Sequence, residues 1–170
     1  MKNKVLSQWL ILVGIILIFM FLIISIYLIL NTTYLQREFN INPKNFIVID
    51  KNDTHGGFHG DGTYHIALDC SKKKEKVLKI VNEWSELPLS ENLQLIMYGG
   101  EKDGMTYGYN IAKETNIPII ANGYYCFLDR HSDTVDKYSD IDLFDRYSYN
   151  FSLAIYDTDT DILYYIRQDT

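Results

Sequence analysis

From Val5 to Leu30 the chain carries no charged residue, and this run limits what the segment can become. A helix from Trp9 to Leu30, broken in its apolar character only by Gly14, Ser25 and Tyr27, would reach ~33 Å, enough for a ~30 Å hydrocarbon core. The same run buried in a soluble core would be exceptionally long and would lack a polar face. A cleaved signal peptide shares the basic start, but its apolar region is shorter, and no small-x-small site lies between Leu30 and Arg37. No Cys closes the run, so lipoprotein anchoring has no support. The expectation is a signal anchor: residues 1–30 as a cytoplasmic tip and transmembrane helix, with the lipid bilayer as partner of residues 9–30. Lys2 and Lys4 precede the run and the first charge after it is Arg37. The positive-inside rule then places the N-terminus in the cytoplasm and the rest of this single-pass chain outside the cell membrane.

The remainder is acidic. All 22 Asp and Glu lie beyond residue 30, whereas two of the 16 Lys and Arg precede it. Nucleic acid, which binds by general electrostatic attraction, is therefore excluded as an expected partner. A surface of this sign suits solubility, divalent cations or a basic partner.

Periodicity beyond residue 42 is mostly that of strands. Phe46 to Asp50 and the alternating Thr63 to Cys70 flank a turn-rich stretch and read as a hairpin with a long loop. Val77, Ile80, Val81 and Trp84 recur at helical spacing, which predicts one amphipathic helix over 72–86, ended by Leu87-Pro88. Leu93 to Tyr98 and Ile117 to Leu128 read as strands, the second breaking at Asn122-Gly123. Tyr147, Tyr149, Phe151, Leu153 and Ile155 alternate with Ser148, Asn150, Ser152 and Ala154, which predicts one core face and one wet face. A last strand follows at Ile162 to Arg167. The order ββαββββ defines an α+β domain over 43–170: an antiparallel sheet with one helix packed on it, reached through a tether at 31–42.

Cys70 and Cys126 fall on inward faces of strand-like segments. In an oxidising compartment they permit a disulfide, and two buried thiols fit equally.

Several groups could carry chemistry. Asp53, His55, His59, Asp61 and His65 lie within 13 positions, and a Gly-rich loop could fold such ligands around a divalent metal. Their spacing matches no zinc signature, and the same glycines serve a loop whose histidines cap or line it. Asp129-Arg130-His131 follows a strand. It reads as acid-base chemistry or as a surface ion pair. If the two loops meet at one end of the sheet, His55, His59, His131, Asp53 and Asp129 converge. Asp157, Asp159 and Asp161 resemble the start of a calcium loop, but Ile162 replaces its glycine and Gln168 its final glutamate, so a hairpin turn is the simpler reading. Lys72, Lys73 and Lys74 at a helix start would attract an anion, or extend into solvent. No Gly-x-Ser-x-Gly, Ser-x-x-Lys or phosphate loop is present. No cofactor is expected beyond that metal.

The phrases Asp53-Thr-His-Gly-Gly-Phe-His-Gly-Asp-Gly62, Leu87-Pro88-Leu89 with Glu91-Asn92, Gly123-Tyr124-Tyr125, Asp129-Arg130-His131 and Arg146-Tyr-Ser-Tyr-Asn-Phe151 carry a resemblance. The chain resembles a group of small, membrane-anchored bacterial proteins of unassigned activity. The likeness covers most of 46–170 and implies a single-pass anchor and a shared ectodomain, with no catalytic residue. The resulting expectation is an extracytoplasmic binding, interaction or sensing module with a membrane-protein or cell-envelope partner. The alternative is a metal-dependent enzyme using the His55 to His65 loop.

Overall fold

The computed structural model describes residues 2–30, 32–56, 60–131 and 133–170, and within the first helix the side chains of residue 9 and of 12–27. Two compact units result, Met1–Tyr34 and Leu35–Thr170.

In the first unit, helix α1 spans Lys2–Leu30. Its large apolar side chains are exposed, from Leu12 at 48% to Phe21 at 70%. The apolar run is thus helical. Among the described residues, however, no helix is long and apolar enough to cross a membrane. The unbroken stretch of described side chains, 12–27, covers ~24 Å against the ~30 Å of a hydrocarbon core. The expected transmembrane anchor, cell-membrane location and orientation are therefore not supported. The flanks on which the span also depended lie outside the described side chains.

In the second unit, helix α2 (Tyr34–Phe39) leads into strand β1 (Ile47–Asp53), β2 (Gly62–Asp69), α3 (Lys74–Val81), β3 (Ser85–Glu86) and α4 (Glu91–Tyr98). A small hairpin of β4 (Gly100–Lys102) and β5 (Met105–Tyr107) follows, then α5 (Ile111–Glu114), β6 (Gly123–Asp129), β7 (Phe151–Asp157) and β8 (Ile162–Asp169). Six strands form one antiparallel sheet in the order β1-β2-β8-β7-β6-β3. The α+β class and the antiparallel sheet agree with the sequence reading. The layering does not.

Instead of one helix on one face, helices cover both. Leu35 and Phe39 of α2 and Val77 and Val81 of α3 pack on Ile66, Leu68, Ala154, Tyr156, Leu163 and Tyr165. On the other face, Leu93, Ile96 and Met97 of α4 and Ile111 and Ala112 of α5 pack on Phe127, Phe151, Leu153, Ile155 and Ile166. Hence every residue of β7 is buried. Ser152 tolerates this because the Arg130 Nε donates to its hydroxyl at 3.1 Å, so the buried oxygen keeps a partner. Leu35, Phe39 and Ile41, within the stretch taken for a tether, are core residues.

The segment around Leu93 to Tyr98 is helical rather than extended. The Ser90 hydroxyl caps it by accepting from the Leu93 N–H at 3.3 Å, a contact that stabilises a helix start by ~1 kcal/mol. Leu93, Ile96 and Met97 then fall on one helical face, each at most 1% exposed.

Both cysteines are free thiols. Cys126 pairs across to Ala154, Tyr165 and then Ile66 of β2. Three strand spacings, ~14 Å, therefore separate its strand from the one that leads to Cys70. A disulfide needs Cα atoms within ~7 Å. Burial pushes the Cys70 thiol up to about 12 and that of Cys126 up to about 11, so little thiolate forms near neutrality. Non-reduced full-length protein is expected to show two alkylatable thiols in denaturant and almost none when folded at pH 8. Recovery of a bridged peptide by mass spectrometry would contradict this geometry.

Candidate functional site

The sheet is incomplete at one edge. β3 pairs through Ser85 and Glu86 with only Tyr125 and Tyr124 of β6. The Leu87 N–H donates to the Gly123 carbonyl at 3.0 Å, and alternation then turns the backbone groups of Gly123, Tyr125, Phe127 and Asp129 toward that edge. Asp129 N–H donates to the Lys137 carbonyl at 2.7 Å. Phe127 is left between the start of β3 and the returning loop, and among the described residues no strand pairs with it on that side.

A cleft of about 480 Å³ opens at this gap. Arg37, Glu38 and Phe39 of α2 form one wall, Glu83 and Trp84 after α3 form another, Tyr125 to Phe127 line it, and Tyr138 and Asp140 of the loop after β6 supply its rim. The walls are held firmly. Glu38 pairs with the Arg167 guanidinium and accepts the Tyr165 hydroxyl at 2.6 Å. Burial, with the Glu38 charge second, pushes the Tyr165 phenol well above its usual range and keeps it a donor. The Phe39 ring meets Trp84 edge-on at 5.7 Å and Tyr165 at 5.9 Å, contacts that contribute ~0.5 to 1.5 kcal/mol each beyond burial. Asp140 accepts the Ser90 hydroxyl, and its carbonyl accepts from Asn92 Nδ2 at 2.9 Å, which ties the rim to the start of α4.

A polar network closes the neighbouring end of the sheet. Asp169 of β8 takes the Arg130 guanidinium at 2.7 Å on one oxygen, and His55 Nε2 at 3.0 Å and Arg167 Nε at 3.2 Å on the other. Arg130 also donates to the Phe151 carbonyl at 3.1 Å and the Gln168 carbonyl at 2.6 Å. The opposite ring nitrogen of His55 contacts Asp53 at 2.6 Å. That hydrogen bond holds the Asp53 carboxyl below its ordinary range. For Asp169, burial works against ionisation, but Arg130 and Arg167 outweigh it and the carboxyl is held low. Through Arg167 and Glu38, this network continues into the wall of the cleft.

His55 of the β1–β2 loop and Arg130 at the end of β6 are joined through Asp169, not through the residues that the sequence set out as converging if the two loops met. Asp129 is engaged elsewhere, with Arg146 at 2.7 Å. The His131 Nδ1 accepts from the Asp133 N–H at 3.4 Å, and His131 lines a separate depression with Asp142 and Arg146. His65 is buried and contacts Asp50 at 3.2 Å, while Asp61 is exposed. His59 lies outside the described residues. Among the described residues no group of three or more His, Cys, Asp or Glu is arranged to hold a metal, and both ring nitrogens of His55 already face carboxylates. Asp157 caps the turn through the N–H of Asp159 at 2.8 Å, the hairpin reading of that segment. Lys74 pairs with Asp161 at 2.8 Å, and Lys72 and Lys73 are exposed. The Asp69 carboxylate accepts from the Ser71 N–H at 2.9 Å, so the N-terminal turn beside these lysines already holds an anionic group.

Sequence reasoning missed Glu38, Trp84, Tyr138, Asp140 and Asp169. No local spacing marks them as a site, and that of Trp84 marks only a helix face, because the sheet assembles them from distant segments.

The fold and cleft define an α+β domain with an open sheet edge. No protein-family model matches the chain, and neither a curated protein nor a solved structure matches it.

Proposed function

We propose that residues 35–170 act as an interaction module that receives a partner segment in the cleft at the β6 edge. The interrupted pairing at Phe127 carries this reading. It leaves room on the sheet edge for an extended segment, at the floor of a cavity whose size lies within the ~300 to 1,000 Å³ usual for binding sites. Tyr138, on the rim, is 67% exposed and Ile141 beside it 77%. Large apolar side chains held this far out beside a cleft suit contact with a partner.

Panning a random peptide display library on the full chain tests the reading. Enriched peptides are expected to shift the Trp84 emission in a Trp9→Phe background. Tyr138→Ala should weaken them roughly tenfold without lowering the melting temperature. Peptides that bind Tyr138→Ala equally and leave Trp84 emission unchanged would place the binding surface elsewhere.

A further inference from the structure

Resting on that reading, we propose that the cleft selects a cationic side chain, a lysine or arginine carried by the extended segment. Two features of the cavity agree on the sign of its occupant. Among the described residues that line it, three carboxylates, Glu38, Glu83 and Asp140, stand against one cation, Arg37. Glu38 is already balanced by Arg167, whereas Glu83 is exposed and Asp140 meets only a hydroxyl among its described side-chain contacts.

The aromatic side chains supply the second feature. Trp84, Tyr125 and Tyr138 line the same space, and a cation within ~6 Å of such a ring face is attracted by its quadrupole. The chain's net charge of −6 would also accelerate encounter with a basic segment at low salt.

The experiment takes the peptides enriched on the full chain and replaces each lysine or arginine by norleucine, then by glutamate. At one basic position, norleucine should weaken binding roughly tenfold and glutamate further. Glu83→Gln should weaken the parent peptide several-fold and leave the norleucine peptide unaffected. The difference between parent and norleucine peptides should shrink as salt is raised from about 0.05 to 0.5 M. Enriched peptides that lack basic residues, or tolerate norleucine at all of them, while still requiring Tyr138, would overturn the cation selectivity and leave the cleft as the site. Failure of any peptide to enrich would overturn the cleft reading and the selectivity with it.

Discussion

Gly123→Ala is expected to destabilise the second unit by roughly 3 kcal/mol or more, among the largest effects of any single methyl group. Gly123 opens β6 with φ +149°, and a Cβ there would lie 1.9 Å from the Tyr156 carbonyl oxygen and 3.0 Å from its carbon. Both are backbone atoms of β7, whose residues are all buried, so neither can swing aside as a side chain would. The Gly123 carbonyl also accepts the Leu87 N–H. Any shift that relieved the clash would loosen the pairing that holds the C-terminal end of β3 to β6. Gly104→Ala is the control, because Gly104 has φ +76° but nothing within 4 Å of its Cβ position. It should cost only the ~1 to 2 kcal/mol of a left-handed alanine. Urea unfolding of the two variants separates the effects: equal midpoints would mean that the close approach at Tyr156 does not limit stability.

The hairpin of β1 and β2 was legible because alternation over Thr63 to Cys70 is strict and the intervening loop is rich in glycine. Strand β7 was legible from its alternation, and β8 from the Asp- and Thr-rich turn that precedes it. What alternation could not reveal was the second helical layer. Ser152 and Ala154 look like a wet face, since a small or hydroxylated residue is equally at home in solvent and under a helix, and it is the contacts with Arg130 and Tyr165 that keep the buried serine oxygen partnered. α4 was misread because a short apolar run fits strand and helix alike. Its cap at Ser90 and the Leu93, Ile96, Met97 spacing were visible signals that outweigh the β-like run. α5, with four residues, is too short to show a period at all.

The candidate site was legible only in part. His55 and Arg130 stand in stretches rich in charge, and they do converge, but the residue that joins them, Asp169, is the penultimate one and belongs to no motif. Adjacent residues on a strand point to opposite faces. Asp129 and Arg130 therefore enter different networks, which no reading of the Asp129-Arg130-His131 phrase as a unit could anticipate. The cleft depends on where β3 begins, and a two-residue strand has no sequence signature.

Arg146→Met is expected to cost about 3 to 5 kcal/mol at pH 7, because it strands a buried carboxylate. The Asp129 side chain is 3% exposed and pairs with Arg146 at 2.7 Å. Its other contacts are the His131 N–H at 3.0 Å and the Thr134 hydroxyl at 2.8 Å. Burial disfavours its charge, but these donors outweigh burial and hold the carboxyl below the ordinary range. A depressed folded pKa contributes stability above the unfolded value of ~3.9 and loses it as pH falls through the folded one. The wild-type chain should therefore weaken below about pH 4. In Arg146→Met the balance reverses. With its main cation gone, burial raises the carboxyl, and the variant should gain stability relative to wild type as pH falls from about 7 to 5. Asp129→Asn in the Arg146→Met background should recover part of the loss at pH 7, so the two changes combine to less than their sum. The effect reaches the cleft, because the Asp129 N–H holds the Lys137 carbonyl immediately before Tyr138 on the rim. Urea midpoints measured across pH 4 to 8 decide the point: a loss independent of pH would show that Arg146 acts through packing, not through the Asp129 charge.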